Sequence, residues 1–212
     1  MKKLVILFTG VFALALTLVS FIPEGPFEGI IDFEKKTGST TIKYKYHVKA
    51  DKIRVEDYGT DGTLQGIMLV NTTTGKVFNL SPDRKLYSAV PKKEPNMNIQ
   101  VVVKTGAKKE IAGVSCTEYS VTCEAEQRVT TFYVGGSQFD FFVPFLKTLH
   151  RKDKLSVYFQ KLTGVDGMFP FMGQEKKLDG TVLTTLKVNS FKRTAVDDKM
   201  FEIPADYKEF KK

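Results

Sequence analysis

A block dense in phenylalanine constrains the fold of this chain more than any other feature. It runs from Gly136 to Phe171 and holds seven of the 17 phenylalanines in the sequence. Short segments with strand character precede it from Phe27 to Val134, and they resume at Gln174. Apolar residues at helical spacing indicate that the block itself is helical. We therefore predict an antiparallel β protein with a helical lid across a curved sheet.

Alternation of apolar and polar residues supports the β assignment, most clearly over residues 42–50. There Tyr44, Tyr46 and Val48 fall on one face, while three lysines and His47 fall on the other. This pattern predicts a strand with one buried face and one face in solvent, as in an antiparallel sheet with one wet side.

Turn signals recur at short intervals on both flanks of the block. Glycine-containing turns at residues 58–62, 71–75 and 179–180 separate successive strands, so we expect each strand to pair with the one before it. Strands are also predicted at Met97–Lys104 and, last, at Phe201–Ile203. A total of about eleven strands favours a half-open, strongly curved antiparallel β-barrel, in the mainly β (α+β) class, over a flat sheet.

Two points inside the block stay open on the sequence alone. The apolar residues from Phe139 to Leu149 recur at helical spacing and would share one face, and Pro144 either kinks this helix or lies in its first turn. Residues 154–162 continue the apolar pattern as either a second short helix or a strand.

The aromatic residues of the block have two interpretations. They fill the core, as apolar residues at helical spacing usually do, or they leave an apolar groove for a lipid tail. A tail would gain about 0.8 kcal/mol per buried CH₂. An empty apolar cavity beneath residues 139–149 would favour the second interpretation, with scattered lysines to contact the head group. The candidate lining residues of such a groove are Phe139, Phe142, Phe145, Leu149 and Phe171.

The N-terminus has the pattern of a secretory signal peptide. Lys2 and Lys3 precede an uncharged apolar run, Leu4–Leu18, and Ser20 is a small residue suited to cleavage. The alternative is an uncleaved anchor, since residues 4–22 are just long enough to span a bilayer. We expect a periplasmic or secreted protein. The predicted organisation is a cleaved signal peptide (1–20), an N-terminal arm (21–26), a single β domain (27–207) and a lysine-rich tail (208–212).

The charge of the chain limits the classes of partner that we expect, and the spacing of its two cysteines decides whether they can form a disulfide. The formal net charge of +8 falls to +6 when Lys2 and Lys3 leave with the signal peptide. Lysine and arginine are spread over many strands, so nucleic acid is excluded as a partner and a solvated surface is indicated. Cys116 and Cys123 lie on one strand about 20 Å apart, too far for a disulfide. We expect two free, buried thiols.

No pattern in the sequence nominates a catalytic or metal site. His47 and His150 lack a cysteine, aspartate or histidine at metal-ligand spacing. There is no Gly-x-Ser-x-Gly elbow and no glycine-rich loop before a helix to hold phosphate. We therefore expect a non-enzymatic protein that needs no cofactor.

Several short motifs occur in order along the chain. They are Phe27-Glu28-Gly29, Lys52–Glu56, Lys104-Thr105-Gly106, Ile111-Ala112-Gly113 and the closing Phe201–Tyr207. In these motifs the sequence is similar to a secreted bacterial domain-of-unknown-function family of the DUF4412 type, whose members resemble the LolA/LolB lipoprotein carriers in fold. Val114 departs from the family, which commonly has tyrosine there, and residues 137–149 match no family pattern.

The resemblance implies a fold and a class of function. The fold is a half-open β-barrel whose concave apolar face is covered by helices, and carriers of this fold hold acyl chains beneath those helices. The function expected from it is non-enzymatic binding of a lipid, an acylated ligand or another amphipathic molecule under the lid, by a monomer. The alternative is an envelope structural or interaction protein with a filled core and another envelope protein as its partner.

Overall fold

The residues that the structure describes form one 12-stranded sheet, two short α-helices and one 3-10 helix. The structure is a computed structural model that describes residues 25–94 and 97–210. The predicted signal peptide, residues 1–20, lies outside the described residues. The strands are β1 Gly29–Thr37, β2 Thr40–Lys49, β3 Lys52–Tyr58, β4 Leu64–Asn71, β5 Lys76–Ser81, β6 Leu86–Ala89, β7 Val102–Ile111, β8 Val114–Cys123, β9 Arg128–Gly135, β10 Phe169–Lys177, β11 Val182–Arg193 and β12 Lys208–Glu209; the helices are α1 Phe142–Leu149, α2 Lys154–Phe159 and a 3-10 helix, Asp198–Phe201.

Two meanders form the sheet and meet at β1. The strand order is β12-β6-β5-β4-β3-β2-β1-β11-β10-β9-β8-β7, and every pair is antiparallel except β12 with β6. β1 therefore pairs with β2 on one side and with β11 on the other, which joins the two halves of the chain. Within the described residues the two ends of the sheet do not pair with each other. The prediction of a half-open, curved antiparallel sheet with a helical lid is confirmed.

A glycine lies where the two meanders join. Gly29 opens β1 opposite Arg193 of β11, with a φ of 155°. A Cβ atom at this position would lie 2.0 Å from the backbone oxygen of Lys192. The close approach of β1 and β11 at this point thus requires a residue without a side chain.

The main core fills the concave side of the sheet. Alternate residues of the strands, such as Ile31, Val48 and Val121, are fully buried there. Both helices pack against them, and the connection from β6 to β7 adds Met97 and other apolar side chains at the periphery of the core. Within the described ranges, no helix combines the length and the apolar composition needed to cross a bilayer.

The C-terminal segment covers part of the opposite, convex face. A smaller apolar cluster on that face contains Ile67, Leu69 and Leu80, and Ile203 and Tyr207 pack against it. Ile67 and Leu69 alternate along β4 with Met68 and Val70, which contact the main core, so the two clusters lie on opposite faces of the sheet.

This covering segment overturns the prediction that His47 faces solvent. His47 is only 8% exposed, and its Nε2 atom lies 3.2 Å from Oε2 of the buried Glu56. Arg54 donates to Oε1 of Glu56 at 2.7 Å and to the carbonyl oxygen of Met200 at 3.2 Å. Alternation along β2 identified the face correctly, but it carried no information about a segment some 150 residues later in the chain.

Two strand predictions were wrong in position. The strand predicted at Met97–Lys104 begins only at Val102 and continues to Ile111. Gly106 lies within it, at an irregularity in the pairing between Thr105 and Lys108, so it marks a bulge. No strand forms at Phe201–Ile203, where a 3-10 helix ends instead.

Four further points of the sequence analysis are settled by the structure. Residues 154–159 form a helix, and Phe171 lies on β10 rather than in the lid. Lys208 and Glu209, assigned above to a lysine-rich tail, pair with β6 as β12. Cys116 and Cys123 are free and buried, as predicted.

We expect Gly29→Ala to lower the free energy of unfolding by about 2–4 kcal/mol, because the new methyl group must push β1 away from β11. Gly38→Ala is the matched control: its φ is also positive, at 58°, but nothing lies within 4 Å of the added Cβ. Urea unfolding measures both variants. Equal losses for the two would contradict a steric requirement at the join.

The carboxylate of Glu56 gives a second stability prediction. Burial alone would raise its pKa, but hydrogen bonds from His47, Tyr58 and Arg54 outweigh burial and lower the pKa from 4.5 to about 2. A depressed pKa means that the stabilisation is complete above about pH 4.5 and is lost as the pH falls towards about 2.

We therefore expect Glu56→Gln to cost about 2–3 kcal/mol at pH 7 and much less at pH 2.5. Glu34→Gln is the control, because Glu34 makes no ion pair among the described residues. Unfolding by urea at the two pH values measures the difference. A loss from Glu56→Gln that does not depend on pH would show that the carboxylate charge is not what stabilises this face.

Candidate functional site

A cluster of phenylalanine rings lies between the lid and the concave face. The ring of Phe139 stacks on Phe27, with centroids 4.8 Å apart, and meets Phe171 edge to face at 5.9 Å. Phe142 lies 4.6 Å from Phe169 and 5.0 Å from Phe159 in similar edge geometry. Such arrangements are the favourable ones for aromatic pairs, so the cluster is a well-packed part of the core.

An apolar cavity remains beside this cluster. It has a volume of about 60 Å³, more than a single water molecule needs. It lies between the loop that joins the two helices and strands β1, β2, β10 and β11. Its lining residues include Phe33, Tyr44, Tyr46, Phe132, Phe142, Leu146, Leu155, Phe169, Gly173 and Leu186, with Lys35, Arg151, Asp153 and Ser156 as the polar members.

The structure brings the five predicted lining residues to the lid region but places only Phe142 at this cavity. Phe139, Phe145 and Phe171 are fully buried in the core. Leu149 is partly buried and packs at the edge of the core. The sequence analysis missed the lining residues that the strands contribute. Alternation marks Tyr44 and its neighbours as buried, but only the pairing of β1 with β11 shows that they face one cavity.

Local sequence explains how the lid is placed. Pro144 lies in the first turn of α1, where its missing N–H removes no helical hydrogen bond. The helix ends at His150, which adopts the left-handed conformation with a φ of 48°. Asp153 then caps α2 by accepting from the backbone N–H of Ser156 at 3.1 Å. The short loop between the two caps carries Arg151 to the cavity.

Arg151 acts electrostatically on several groups around the cavity. Burial raises the pKa of Tyr44 and of Tyr46, and the positive charge of Arg151 acts against this rise in both. Burial also raises the pKa of Asp57, again opposed by Arg151. The guanidinium of Arg151 therefore lies close enough to act on all three groups, while the two tyrosine hydroxyls stay neutral donors at pH 7.

A carboxylate fastens α2 to the sheet. Glu126, in the turn between β8 and β9, accepts from the Lys154 ammonium at 2.5 Å and from the Tyr158 hydroxyl. The hydrogen bond from Lys154, and after it the one from Tyr158, lowers the pKa of Glu126. Charge-assisted hydrogen bonds of this kind are stronger than neutral ones, so Glu126 fixes one side of the lid.

Other polar groups give no sign of a metal site. Nδ1 of His150 lies 3.1 Å from a carboxylate oxygen of Glu94, and His47 is engaged with Glu56. Among the described residues, no three or more His, Cys, Asp or Glu side chains are grouped so that they could hold a metal ion.

The architecture defines a class of protein: a half-open antiparallel sheet whose concave apolar side is covered by a helical lid. The family model "Domain of unknown function (DUF4412)" matches residues 27–207, so the chain belongs to this family. The resemblance seen in the sequence is thereby confirmed. No curated protein matches the chain at a significant level.

Solved structures share the fold at low sequence identity. An uncharacterized conserved protein from Thermus thermophilus is 13% identical, covers 86% of this chain and 88% of its own, and gives a TM-score of 0.55. A chain of the Pseudomonas aeruginosa MucA/MucB complex is 12% identical, covers 84% of this chain and 56% of its own, and gives a TM-score of 0.48. An outer membrane lipoprotein-sorting protein domain from Vibrio parahaemolyticus is 11% identical, covers 84% of this chain and 90% of its own, and gives a TM-score of 0.38. Only the first score is high enough to support an argument, and it concerns the fold alone.

We expect Glu126→Gln to loosen α2, because it removes the charge that holds Lys154. A loss of about 1–2 kcal/mol would speed amide hydrogen exchange in residues 155–159 by about 5- to 30-fold. Hydrogen-exchange mass spectrometry measures this, with Glu124→Gln in the same turn as the control, since the Glu124 side chain is exposed. Unchanged exchange in α2 would show that Glu126 does not fasten the lid.

Proposed function

We propose that this protein binds an amphipathic molecule, a lipid or an acylated ligand, with the apolar tail in the crevice between the lid and the sheet. The observation that supports this proposal is the apolar cavity of about 60 Å³ that the lid and the concave face leave unfilled. Walls of aromatic and aliphatic side chains, with a few polar groups in fixed positions, are typical of sites for small amphipathic molecules.

Tail binding requires more room than the cavity offers. Each CH₂ group gains about 0.8 kcal/mol on burial, so burial of a tail of modest length would offset the free energy needed to rearrange part of the lid. The loop between α1 and α2 and the side chain of Leu155 line the cavity on the lid side. We propose that these move aside for the tail, while Phe139, Phe145 and Phe171 stay in the packed cluster.

The remaining parts of the proposal follow from the sequence. A signal peptide would place the protein in the periplasm or outside the cell, where acylated molecules are exchanged between membranes and proteins. We propose a monomeric, non-enzymatic carrier or sensor in that compartment.

A second candidate function is an envelope interaction protein that binds no small ligand. The phenylalanine cluster favours it, because these rings fill most of the space beneath residues 139–149 and leave a small cavity beside Phe142 and Leu146. Among residues 25–94 and 97–210, strand β7 ends the sheet, and one edge of it has no neighbouring strand, so its backbone groups could pair with another protein. Protein that binds no amphiphile but is recovered with an envelope protein would favour this candidate.

Binding of a fluorescent fatty acid to delipidated protein tests the first proposal. Gly173 lines the cavity, and a Cβ added there would lie 3.0 Å from the end of the Leu155 side chain. We expect micromolar binding by the wild type, and a loss of about fourfold or more in Gly173→Ala, because the methyl group displaces about one CH₂ of the tail.

Gly106→Ala is the matched control for this experiment. Gly106 also lies in a strand, and its added Cβ would also come within 3.0 Å of a side-chain end, that of Glu118, but far from the cavity lining. Its affinity should equal that of the wild type. Absence of binding at micromolar concentrations, or equal affinities of the two alanine variants, would contradict the proposed site.

A further inference from the structure

We infer that the crevice selects amphiphiles with an anionic head group, a carboxylate or a phosphate, which Arg151 and Lys35 bind at its opening. This inference rests on the proposed function, because it assigns the head group of the molecule whose tail occupies the same crevice. It adds a charge preference that an apolar cavity alone would not have.

The state of Arg151 is the first observation behind this inference. Arg151 is half-buried and lines the cavity, yet no carboxylate of residues 25–94 or 97–210 lies within 4 Å of its guanidinium. Neighbouring cations in the same half of the molecule are paired: Lys154 with Glu126 at 2.5 Å, and Arg128 with Glu175 at 3.3 Å. The carboxylate of Asp57 lies close enough to interact with Arg151 through space, but it makes no direct ion pair with it. An anion in contact with the guanidinium would therefore form an interaction that the described residues do not supply.

Lys35 is a second cation at the same opening. It is also half-buried on β1, and it forms no ion pair within the described part of the chain. Asp153 is the one carboxylate among the described lining residues, but both its oxygens are occupied by Ser156, from the backbone N–H at 3.1 Å and from the hydroxyl at 2.9 Å. Two cations, Arg151 and Lys35, therefore lie near two carboxylates, those of Asp153 and Asp57, but neither cation forms an ion pair within 4 Å in the described part of the chain.

Two tyrosine hydroxyls add hydrogen-bond donors to the same place. Tyr44 and Tyr46 line the cavity from β2, and within the described ranges neither hydroxyl has a hydrogen-bond partner. Both feel the positive charge of Arg151. The planar guanidinium fork binds carboxylate and phosphate oxygens in pairs, and neutral O–H groups can donate to the same anion.

These groups are arranged in the order that an acidic amphiphile requires. Among the lining residues, Phe132 and Leu155 are buried, whereas Arg151 and Lys35 are half-buried, so the charged groups lie nearer to solvent than these apolar walls. A cationic head group would meet two like charges, and a sugar head group would leave the guanidinium without an anion. Fatty acids and acyl phosphates share the chemistry that fits, namely a single tail with a compact anionic head.

Isothermal titration calorimetry of delipidated protein tests this inference with four detergents of equal tail length, each below its critical micelle concentration. The probes are dodecanoate, dodecyl phosphate, dodecyl maltoside and dodecyltrimethylammonium. We expect at least one of the two anions to bind about tenfold or more tightly than the maltoside or the ammonium. Comparison of dodecanoate with dodecyl phosphate distinguishes a carboxylate from a phosphate head group.

Variants that remove one positive charge show which residues cause the preference for an anionic head group. We expect Arg151→Gln and Lys35→Gln each to weaken the anion by about tenfold while leaving the maltoside affinity unchanged. Lys152→Gln and Lys36→Gln are the matched controls, since each lies one residue away and is exposed. They should keep the wild-type preference.

The outcomes separate this inference from the proposed function. Equal binding of all four detergents, or a preference that survives both Arg151→Gln and Lys35→Gln, would overturn the head-group inference and leave tail binding standing. If none of the four binds, the proposed function fails and the inference fails with it.

Discussion

Burial of the concave face of an open sheet is the constraint on which this structure depends. Twelve strands curve without closing, so one broad apolar surface must be covered by something other than another strand. The chain covers most of it with its own phenylalanines, from Phe27 at the start of the domain to Phe171 on β10. Edge and stacked contacts among these rings add to the area they bury. The cavity is the part of this surface that the rings leave uncovered.

The opposite face combines a small apolar cluster with buried polar groups. A buried carboxylate, Glu56, accepts hydrogen bonds from three donors there, and the C-terminal segment covers them before β12 pairs with β6. One end of the sheet is thereby covered, while the other ends in β7, whose lysines and bulge are features that limit unwanted pairing of exposed edges. On the lid side, by contrast, an apolar cavity lies next to Arg151 and Lys35, which form no ion pair within the described residues.

Local patterns predicted the architecture well, and long-range contacts explain the errors. Alternation over residues 42–50 and regular turns were enough for the meanders, and the phenylalanine block was enough for a lid. His47 was misplaced because the segment that covers it comes about 150 residues later. Phe171 was assigned to the lid because apolar density alone does not show where a helix block ends and a strand begins. Four of the five predicted lining residues lie outside the cavity lining, because the position of the cavity depends on the pairing of β1 with β11, which no local pattern reveals.

We propose that an amphiphile enters beside Leu155 with its charged end at Arg151. A crystal structure of the protein with dodecanoate tests this claim most directly. We predict the alkyl chain between the α1–α2 loop and strands β10 and β11, with the carboxylate within hydrogen-bonding distance of the Arg151 guanidinium. A crevice that stays closed, with the alkyl chain bound elsewhere or absent at saturating concentration, would contradict the account.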